Sequence, residues 1–116
     1  MSVPSNKALE RLLDYSALKH KVIGQNIANA DTKGYRRRDV EFKELLANDI
    51  KNLSKSSKSE LKVNVDEETP IISEGNNVDV NREMADLAEN SIMFKFASKK
   101  INSYYQAIQS VIKGGR

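Results

Sequence analysis

Cysteine and tryptophan are absent from this 116-residue chain, which also has only two prolines, five glycines and one histidine. The lack of cysteine excludes a disulfide framework, a thiolate metal site and a thiol nucleophile. The single histidine makes a catalytic or metal site built on several imidazoles impossible. A chain of this length forms one small domain, which favours a structural or binding protein over a large enzyme.

Long apolar runs are also missing. No segment approaches the roughly 20 apolar residues that a membrane-spanning helix needs. The first residues lack the basic segment and apolar core of a cleaved secretion signal. We therefore expect the protein to keep its N-terminus and, if it leaves the cytoplasm, to do so without a cleaved signal peptide.

Charge is distributed in blocks along the chain. The net charge of +3 is the sum of +2 for residues 1–34, +3 for 35–62, −5 for 63–83 and +3 for 84–116. An acidic block between basic ends is as consistent with electrostatic complementarity between chains as with a nucleic-acid surface.

The first part of the chain has helical periodicity. Small and apolar side chains recur at alternating steps of four and three, which predicts a helix from about 6 to about 31. Ser5 or Asn6 is the expected N-cap, and Gly34 lies where a glycine would end the helix. The row consists of Leu9, Leu13, Ser16, His20, Ile23, Ile27 and Ala30.

The last third repeats this pattern and predicts a helix from about 80 to about 112 with Asp79 as N-cap. Such a helix is ~48 Å long, whereas a compact chain of this size has a radius of gyration of only ~13 Å. The two helices should therefore form a rod-like hairpin or pair with other subunits. The second row consists of Val80, Met84, Leu87, Ser91, Phe94, Ser98, Ile101, Tyr105, Ile108 and Ile112.

The middle of the chain has weaker signals. Apolar residues at helical spacing predict a short helix within 41–53, and the polar sequence SKSSKSE at 54–60 favours a mobile loop. Alternating apolar residues at 61–65 are typical of one short strand, for which no partner is evident. The stretch 66–78 is acidic and rich in turn-forming residues.

These patterns together predict an all-α fold. Two long terminal helices form a coiled-coil-like hairpin, and a short, irregular and partly mobile segment connects them. The chain is one structural unit with three parts: residues 1–34, 35–78 and 79–116.

Asn26 and Asn29 lie at the edge of the apolar stripe of the first helix. Asparagine is a poor helix former with two donors and one acceptor oxygen, so its presence on a packed face is explained if it bonds to neighbouring backbone groups. An ordinary helix end followed by a turn is the alternative.

Two segments resemble signatures of a known family. ALKHKVIGQNIANADTKGY, from Ala17 to Tyr35, resembles the N-terminal signature of bacterial flagellar basal-body rod and hook proteins. NVDVNREMA, from Asn77 to Ala85, with LAEN following, resembles the proximal-rod members of that family. The short middle also fits, because hook and distal-rod relatives have larger β-rich insertions there. Lys33 is a departure, since the family often has proline at this position.

The resemblance implies a structural subunit of the proximal rod that is exported by the type III route and then transmits torque and lines the export channel. Its implied partners are other rod subunits, the rod-to-ring adaptor, the export gate and further copies of itself, with no nucleic acid and no direct insertion into the membrane. It implies no catalysis, cofactor or metal. The implied signature turn is Gly34 and Tyr35, and the implied assembly seam is Leu9, Leu13, Ile23, Asn26, Ile27, Asn29, Met84, Leu87, Phe94, Ile101, Tyr105 and Ile108.

Phe42 and Leu46 are four residues apart, which would place both on one face of a helix. They resemble the element by which rod and hook subunits are recognised at the export gate. Simple packing of an amphipathic helix explains the same pair.

A small basic coiled-coil module that binds nucleic acid or a regulatory partner through Arg36–Arg38 is the alternative function. These arginines are nevertheless expected to form a solvated face paired with nearby acidic residues. His20 is expected to be a packed or edge residue. Asp66, Glu67 and Glu68 are expected to form a solvated turn, because they lack the spacing of a calcium loop.

Overall fold

The computed structural model describes residues 3–43 and 60–114, and side chains within 7–41 and 61–114. The elements are helix α1 (Val3–Ala28), strand β1 (Arg38–Lys43), strand β2 (Glu60–Val65) and helix α2 (Val80–Gly114). Most of the described backbone lies in the two helices, which confirms the predicted helix-dominated fold. Neither helix is long and apolar enough over its described residues to cross a membrane.

Both ends of α1 lie about three residues earlier than predicted, and the helix ends at Ala28, so Gly34 lies in the following turn and does not end the helix. The helix begins at Val3, so Ser5 and Asn6 lie inside it and the predicted N-cap is wrong. Pro4 fits in the first turn because amides there have no acceptor within the helix. The N-cap of α2 is confirmed, since Asp79 Oδ1 accepts a hydrogen bond from the N–H of Asn81 at 3.0 Å.

The two strands pair with each other in an antiparallel sheet. Val40 lies opposite Val63 and Phe42 opposite Leu61. The predicted strand at 61–65 is confirmed, and β1 is the partner that the sequence did not reveal. The predicted short helix is wrong for residues 41–43, which belong to β1. The backbone N–H and C=O groups of β1 form hydrogen bonds with β2, and this pairing prevails over the weak helical pattern of the sequence. Its remainder, including Leu46, and residues 54–59 lie outside the described residues.

The helices form an elongated antiparallel hairpin. Asn26 near the end of α1 contacts Glu83 near the start of α2, and Ser16 contacts Asn90. The molecule has principal extents of 66 × 32 × 14 Å and a radius of gyration of 18.5 Å, as expected for the predicted rod-like shape.

The helices meet through small and polar side chains. The buried residues of α2, Glu83, Asn90 and Ala97, follow a seven-residue repeat. The predicted row of α2 lies beside this buried repeat, so Met84 and Phe94 are largely exposed. Because polar and small side chains fill the contact between the helices, most of the larger apolar groups of α2 lie on its flanks or in solvent. The buried apolar core of the described residues is small: Val22, Ile23, Val40, Val78 and Ala97.

Candidate functional site

A cluster of buried and half-buried polar side chains joins the end of α1, the start of β1, the connector between β2 and α2, and the first turn of α2. We call this cluster the junction. Its members are Asn26, Tyr35, Arg37, Asp66, Asn76, Asn77 and Glu83.

Asn26 is fully buried and uses its whole side-chain amide. Its Nδ2 donates to the carbonyl of Arg38 at 2.9 Å and to Glu83 Oε1 at 3.0 Å. Its Oδ1 accepts from the N–H of Arg38 and from the hydroxyl of Tyr35, both at 2.9 Å. The prediction that this asparagine bonds to neighbouring backbone is confirmed. The side chain fixes the first residue of β1 against α1.

Arg37 is the charged centre of the junction. Its side chain is 2% exposed, and its Nε donates to Glu83 Oε2 at 2.7 Å. Its Nη1 donates to Asp66 Oδ2, also at 2.7 Å, and lies 3.8 Å from Asp39 Oδ2. Burial alone would lower the pKa of Arg37, but the hydrogen bonds from its guanidinium to Glu83 and Asp66 outweigh burial and raise it. The guanidinium therefore stays charged and connects the first turn of α2 to the end of β2.

Asp66 is held by four hydrogen bonds. Its Oδ1 accepts from the N–H groups of Glu68 and Thr69, and its Oδ2 accepts from the Thr69 hydroxyl and from Arg37. Burial alone would raise the pKa of Asp66, but the bonds from Thr69, Arg37 and Glu68 outweigh it and hold the pKa far below its ordinary value. Asp66 is thus a stable anion at neutral pH.

Two adjacent asparagines hold the connector in place. Asn77 Oδ1 accepts from the N–H of Arg37 at 2.7 Å, and its Nδ2 donates to the carbonyls of Asp66 and Thr69. Asn76 Nδ2 donates to the carbonyls of three residues in the turn after α1: Asn29, Ala30 and Thr32. The carbonyls of Asn29 and Thr32 also accept from N–H groups within the turn, so the amide of Asn76 adds to these bonds and joins the connector to the turn.

Gly34 and Gly75 let the two turns approach each other. The N–H of Gly34 donates to the carbonyl of Glu74 at 2.9 Å. Both glycines have positive φ, 76° and 78°. A Cβ on Gly75 would lie 3.2 Å from the Gly34 Cα, so the close approach favours glycine at this position. The predicted turn at Gly34 and Tyr35 is therefore part of the junction.

A groove runs along the hairpin away from the junction. It has a volume of about 360 Å³ and is lined mainly by Ser16, His20, Asn90, Phe94 and Lys95. Asn90 Nδ2 donates to the Ser16 carbonyl at 2.8 Å, whereas Ser16 Oγ and Asn90 Oδ1 are buried without a hydrogen-bond partner. His20 is exposed at the rim, which agrees with an edge histidine. No group of three metal-ligating side chains occurs in residues 3–43 and 60–114.

Two expectations about charged residues are wrong. Arg37 is buried rather than solvated, because Glu83 and Asp66 come from distant parts of the chain to pair with it. Asp66 accepts hydrogen bonds from the N–H groups of Glu68 and Thr69 in the predicted turn, but its side chain is largely shielded from solvent because it pairs with Arg37. Only Glu67 and Glu68 of the acidic triplet are exposed.

The predicted seam residues fall into three groups. Ile23 and Asn26 are buried within the hairpin. Half-buried positions lie along its flanks: Leu9, Leu13, Ile27, Asn29, Leu87 and Ile101. Four residues are exposed on α2: Met84, Phe94, Tyr105 and Ile108.

Sequence reasoning missed the long-range bonds of Asn76, Asn77 and Glu83. The turn-rich composition of 66–78 explains the two asparagines locally, and Glu83 belongs to the signature segment from Asn77 to Ala85. The helix dipole stabilises a glutamate in the first turn of a helix, so the position of Glu83 is explained locally. Its ion pair with Arg37 therefore could not be inferred from the sequence.

The fold and the junction define the class of protein: an elongated helical-hairpin subunit whose two signature segments are bonded to each other at one end. No family model matches the chain. It is similar to the flagellar basal body rod protein FlgB of Bacillus subtilis, with 31% identity over 93% of this chain and 92% of that protein. FlgB of Borreliella burgdorferi is 28% identical over 89% of this chain and 91% of its own length, and FlgB of Escherichia coli 25% identical over 91% of both. The chain belongs to the FlgB family of flagellar basal body rod proteins.

The family confirms the resemblance found in the sequence. Its members are structural proteins of the flagellar basal body, not enzymes, and this assigns a basal-body rod role to the chain. The junction connects the helices, the sheet and the connector of this subunit by hydrogen bonds and ion pairs.

Replacing Arg37 by methionine should lower the free energy of unfolding by about 3–5 kcal/mol, because Glu83 and Asp66 would keep their burial and lose their counter-charge. Urea unfolding followed by circular dichroism measures the effect. Arg38→Met is the matched control, since the Arg38 side chain is exposed and its backbone bonds to Asn26 remain. Equal stability of the two variants would contradict the assignment of Arg37 as the centre of the junction.

Stability should also fall in acid because of Asp66. A carboxyl whose pKa is lowered by folding stabilises the native state above its unfolded pKa, and this stabilisation is lost as the pH falls below the ordinary value of 3.8. Asp66→Asn should therefore be less stable at neutral pH and show a shallower loss between neutral and acidic pH. Glu68→Gln, with an exposed side chain, should retain the wild-type slope. An unchanged slope in Asp66→Asn would refute this linkage.

Proposed function

We propose that the chain is a structural subunit of the proximal rod, where it transmits torque and contributes to the wall of the export channel after type III export without a cleaved signal peptide. Two observations together support this proposal. The junction is fixed by buried hydrogen bonds and ion pairs, and the predicted row on α2 has exposed apolar side chains at Met84, Phe94, Tyr105 and Ile108. The junction supports a subunit of fixed shape. The row supports contacts with other subunits.

A torque-bearing subunit must resist bending where its elements meet. In this chain the turn after α1, β1, the connector and α2 are joined by charged and amide hydrogen bonds around Arg37 and Asn26. Buried polar contacts have narrow distance and angle requirements, so they fix the relative placement of these elements. This is the property a rod subunit needs.

The assembly seam that we propose is the exposed part of the predicted row. Met84, Phe94, Tyr105 and Ile108 lie on α2 with between 39% and 53% of their surface exposed. Apolar side chains in a row along a helix are typical of a surface that packs on other helices. The proposed partners are other rod subunits, further copies of the chain, the rod-to-ring adaptor and, before assembly, the export gate.

The nucleic-acid alternative has little support in the structure. Arg37, the central residue of the basic triplet, is buried in ion pairs, which leaves Arg36 and Arg38 beside it. Two separated cations are a weak basis for phosphate binding.

Changing Phe94 or Ile108 to aspartate should block rod assembly while leaving the hairpin folded, because both residues are already partly in water. The expected result is a chain with wild-type helicity by circular dichroism that fails to restore motility to a flagellated bacterium lacking its own FlgB. Gln109→Asp, one position along on the same exposed helix, should restore motility. Motility with the Phe94 and Ile108 variants would show that this row is not the seam.

We also propose that Phe42 and Leu46 act in export. Changing both to alanine removes two apolar groups without adding charge, so secretion of the chain should fall several-fold while purified chain still binds the other rod subunits. Secreted chain in the culture medium, compared with the total made, measures the first effect, and co-sedimentation with rod subunits measures the second. Leu45→Ala is the neighbouring control. Undiminished secretion of the double variant would show that Phe42 and Leu46 are not needed for export and would favour a role in packing.

A further inference from the structure

The face of α2 that points away from α1 carries both apolar and basic side chains. Asn90 and Ala97 are buried against the rest of the molecule. Because each residue turns a helix by about 100°, Ile92 and Lys99 lie roughly opposite them around the helix axis. Ile92 is 69% exposed, and Phe96, one turn further along the helix, is 55% exposed. This outer face is distinct from the exposed row that we propose as the assembly seam.

Lysines surround the two apolar side chains. We call Ile92, Lys95, Phe96, Lys99 and Lys100 the basic patch. Its three lysines are exposed, and Lys100 Nζ lies 5.8 Å from the centre of the Phe96 ring, which is a cation–π contact. In the part of the chain that the structure describes, no carboxylate forms an ion pair with these lysines. Their charges are therefore available to a partner outside the molecule.

The charge around the basic patch has one sign. The stretch of α2 from Ser91 to Gly114 has four lysines and no acidic residue. The nearest acidic residue of the helix is the exposed Glu89, about one turn before Ile92. Residues 63–83 carry a net charge of −5, at the other end of α2. An anionic surface would attract the basic patch and repel the acidic end, so it would also orient the molecule.

We propose that the basic patch binds the surface of an anionic lipid bilayer. Ile92 and Phe96 enter the headgroup region, and the three lysines remain among the lipid phosphates. A helix with lysines around exposed apolar side chains is typical of segments that lie in the plane of a membrane surface. The binding is peripheral, since only side chains of one helix face enter the lipid. It concerns the free chain and does not depend on the assignment as a rod subunit.

The composition of the basic patch favours lipid over an acidic protein or a nucleic acid. All cations from Ser91 to Gly114 are lysines. Lysine is a flexible point charge that is depleted in protein interfaces, whereas arginine, with its planar fork of donors, is enriched there. A bilayer presents many mobile phosphates and so requires no fixed partner geometry. It also offers Ile92 and Phe96 an apolar environment, which the phosphate backbone of a nucleic acid does not.

Co-sedimentation of the purified full-length chain with lipid vesicles tests the proposal. Vesicles of phosphatidylglycerol and phosphatidylcholine in equal parts should bind the chain more than about tenfold tighter than vesicles of phosphatidylcholine alone. Added salt should weaken this binding, because it screens exposed charges. Equal binding to both kinds of vesicle, or no binding to either, would overturn the proposal.

Charge reversal shows whether the basic patch itself is responsible. Lys99→Glu with Lys100→Glu should weaken binding to the anionic vesicles more than about tenfold. Lys7→Glu with Lys21→Glu is the matched control, because it changes the net charge by the same amount at exposed positions of α1 and should retain most of the binding. An equal loss in the two double variants would show that binding follows net charge alone and would overturn the assignment to this face.

The absence of tryptophan allows one to be introduced as a probe of depth. The fluorescence of Phe96→Trp should shift to the blue on anionic vesicles, since this side chain then leaves water. Ile72→Trp is the control at a position that is 60% exposed in the acidic connector, and it should show no shift.

The same probe distinguishes lipid from other polyanions. Soluble polyglutamate and duplex DNA should bind Phe96→Trp more weakly than the anionic vesicles and leave its emission unshifted. Binding to either polymer as tight as to the vesicles, with no shift on the vesicles, would assign the basic patch to an acidic protein or a nucleic acid and refute the lipid proposal. A shift of the probe at position 72 and not at 96 would also refute it.

Discussion

The structure depends on one buried cation. Arg37 brings a guanidinium into a nearly solvent-free position, which is costly unless carboxylates meet it there. Glu83 and Asp66 do so at 2.7 Å each; Glu83 lies in the first turn of α2, and Asp66 directly follows β2. Since replacing such a pair by apolar groups is often neutral for stability, its main effect here is to define geometry. Arg37 can bond to Glu83 and to Asp66 at the same time only when the first turn of α2 is correctly placed relative to the residue that follows β2.

Asparagine extends this constraint to the backbone. Asn26, Asn76 and Asn77 each bond to main-chain groups of another segment, and each is buried. An amide side chain has the same donor and acceptor as a peptide group, so it can complete a turn or strand end that has no neighbouring strand. In the described part of the chain, these bonds thereby join two helices and a two-stranded sheet around a small apolar core.

The sequence predicted the elements that arise from local periodicity. Both helices, the strand at 61–65 and the cap at Asp79 follow from spacing and residue type. β1 was missed because its partner lies beyond a long connection and the weak helical pattern at 42–46 competed with it. Arg37 and Glu83 are 46 residues apart, and nothing in the spacing of either reveals the other. That Asn26 forms hydrogen bonds was predictable, because an amide on a packed helix face needs partners. Which residues are its partners could not be predicted from the sequence.

The buried groups are mostly polar and the exposed large groups are apolar. This division explains how a small subunit can have a defined shape and still keep apolar surface for contacts with other subunits. Among the described residues only five apolar side chains are buried, whereas thirteen large apolar side chains are exposed. Directional polar bonds at the junction define the shape and need little apolar burial. The apolar surface that they leave free, mostly along α2, is then available to gain burial energy between subunits. A chain that buried these groups in its own core would be more stable alone and would have less surface with which to hold a neighbour.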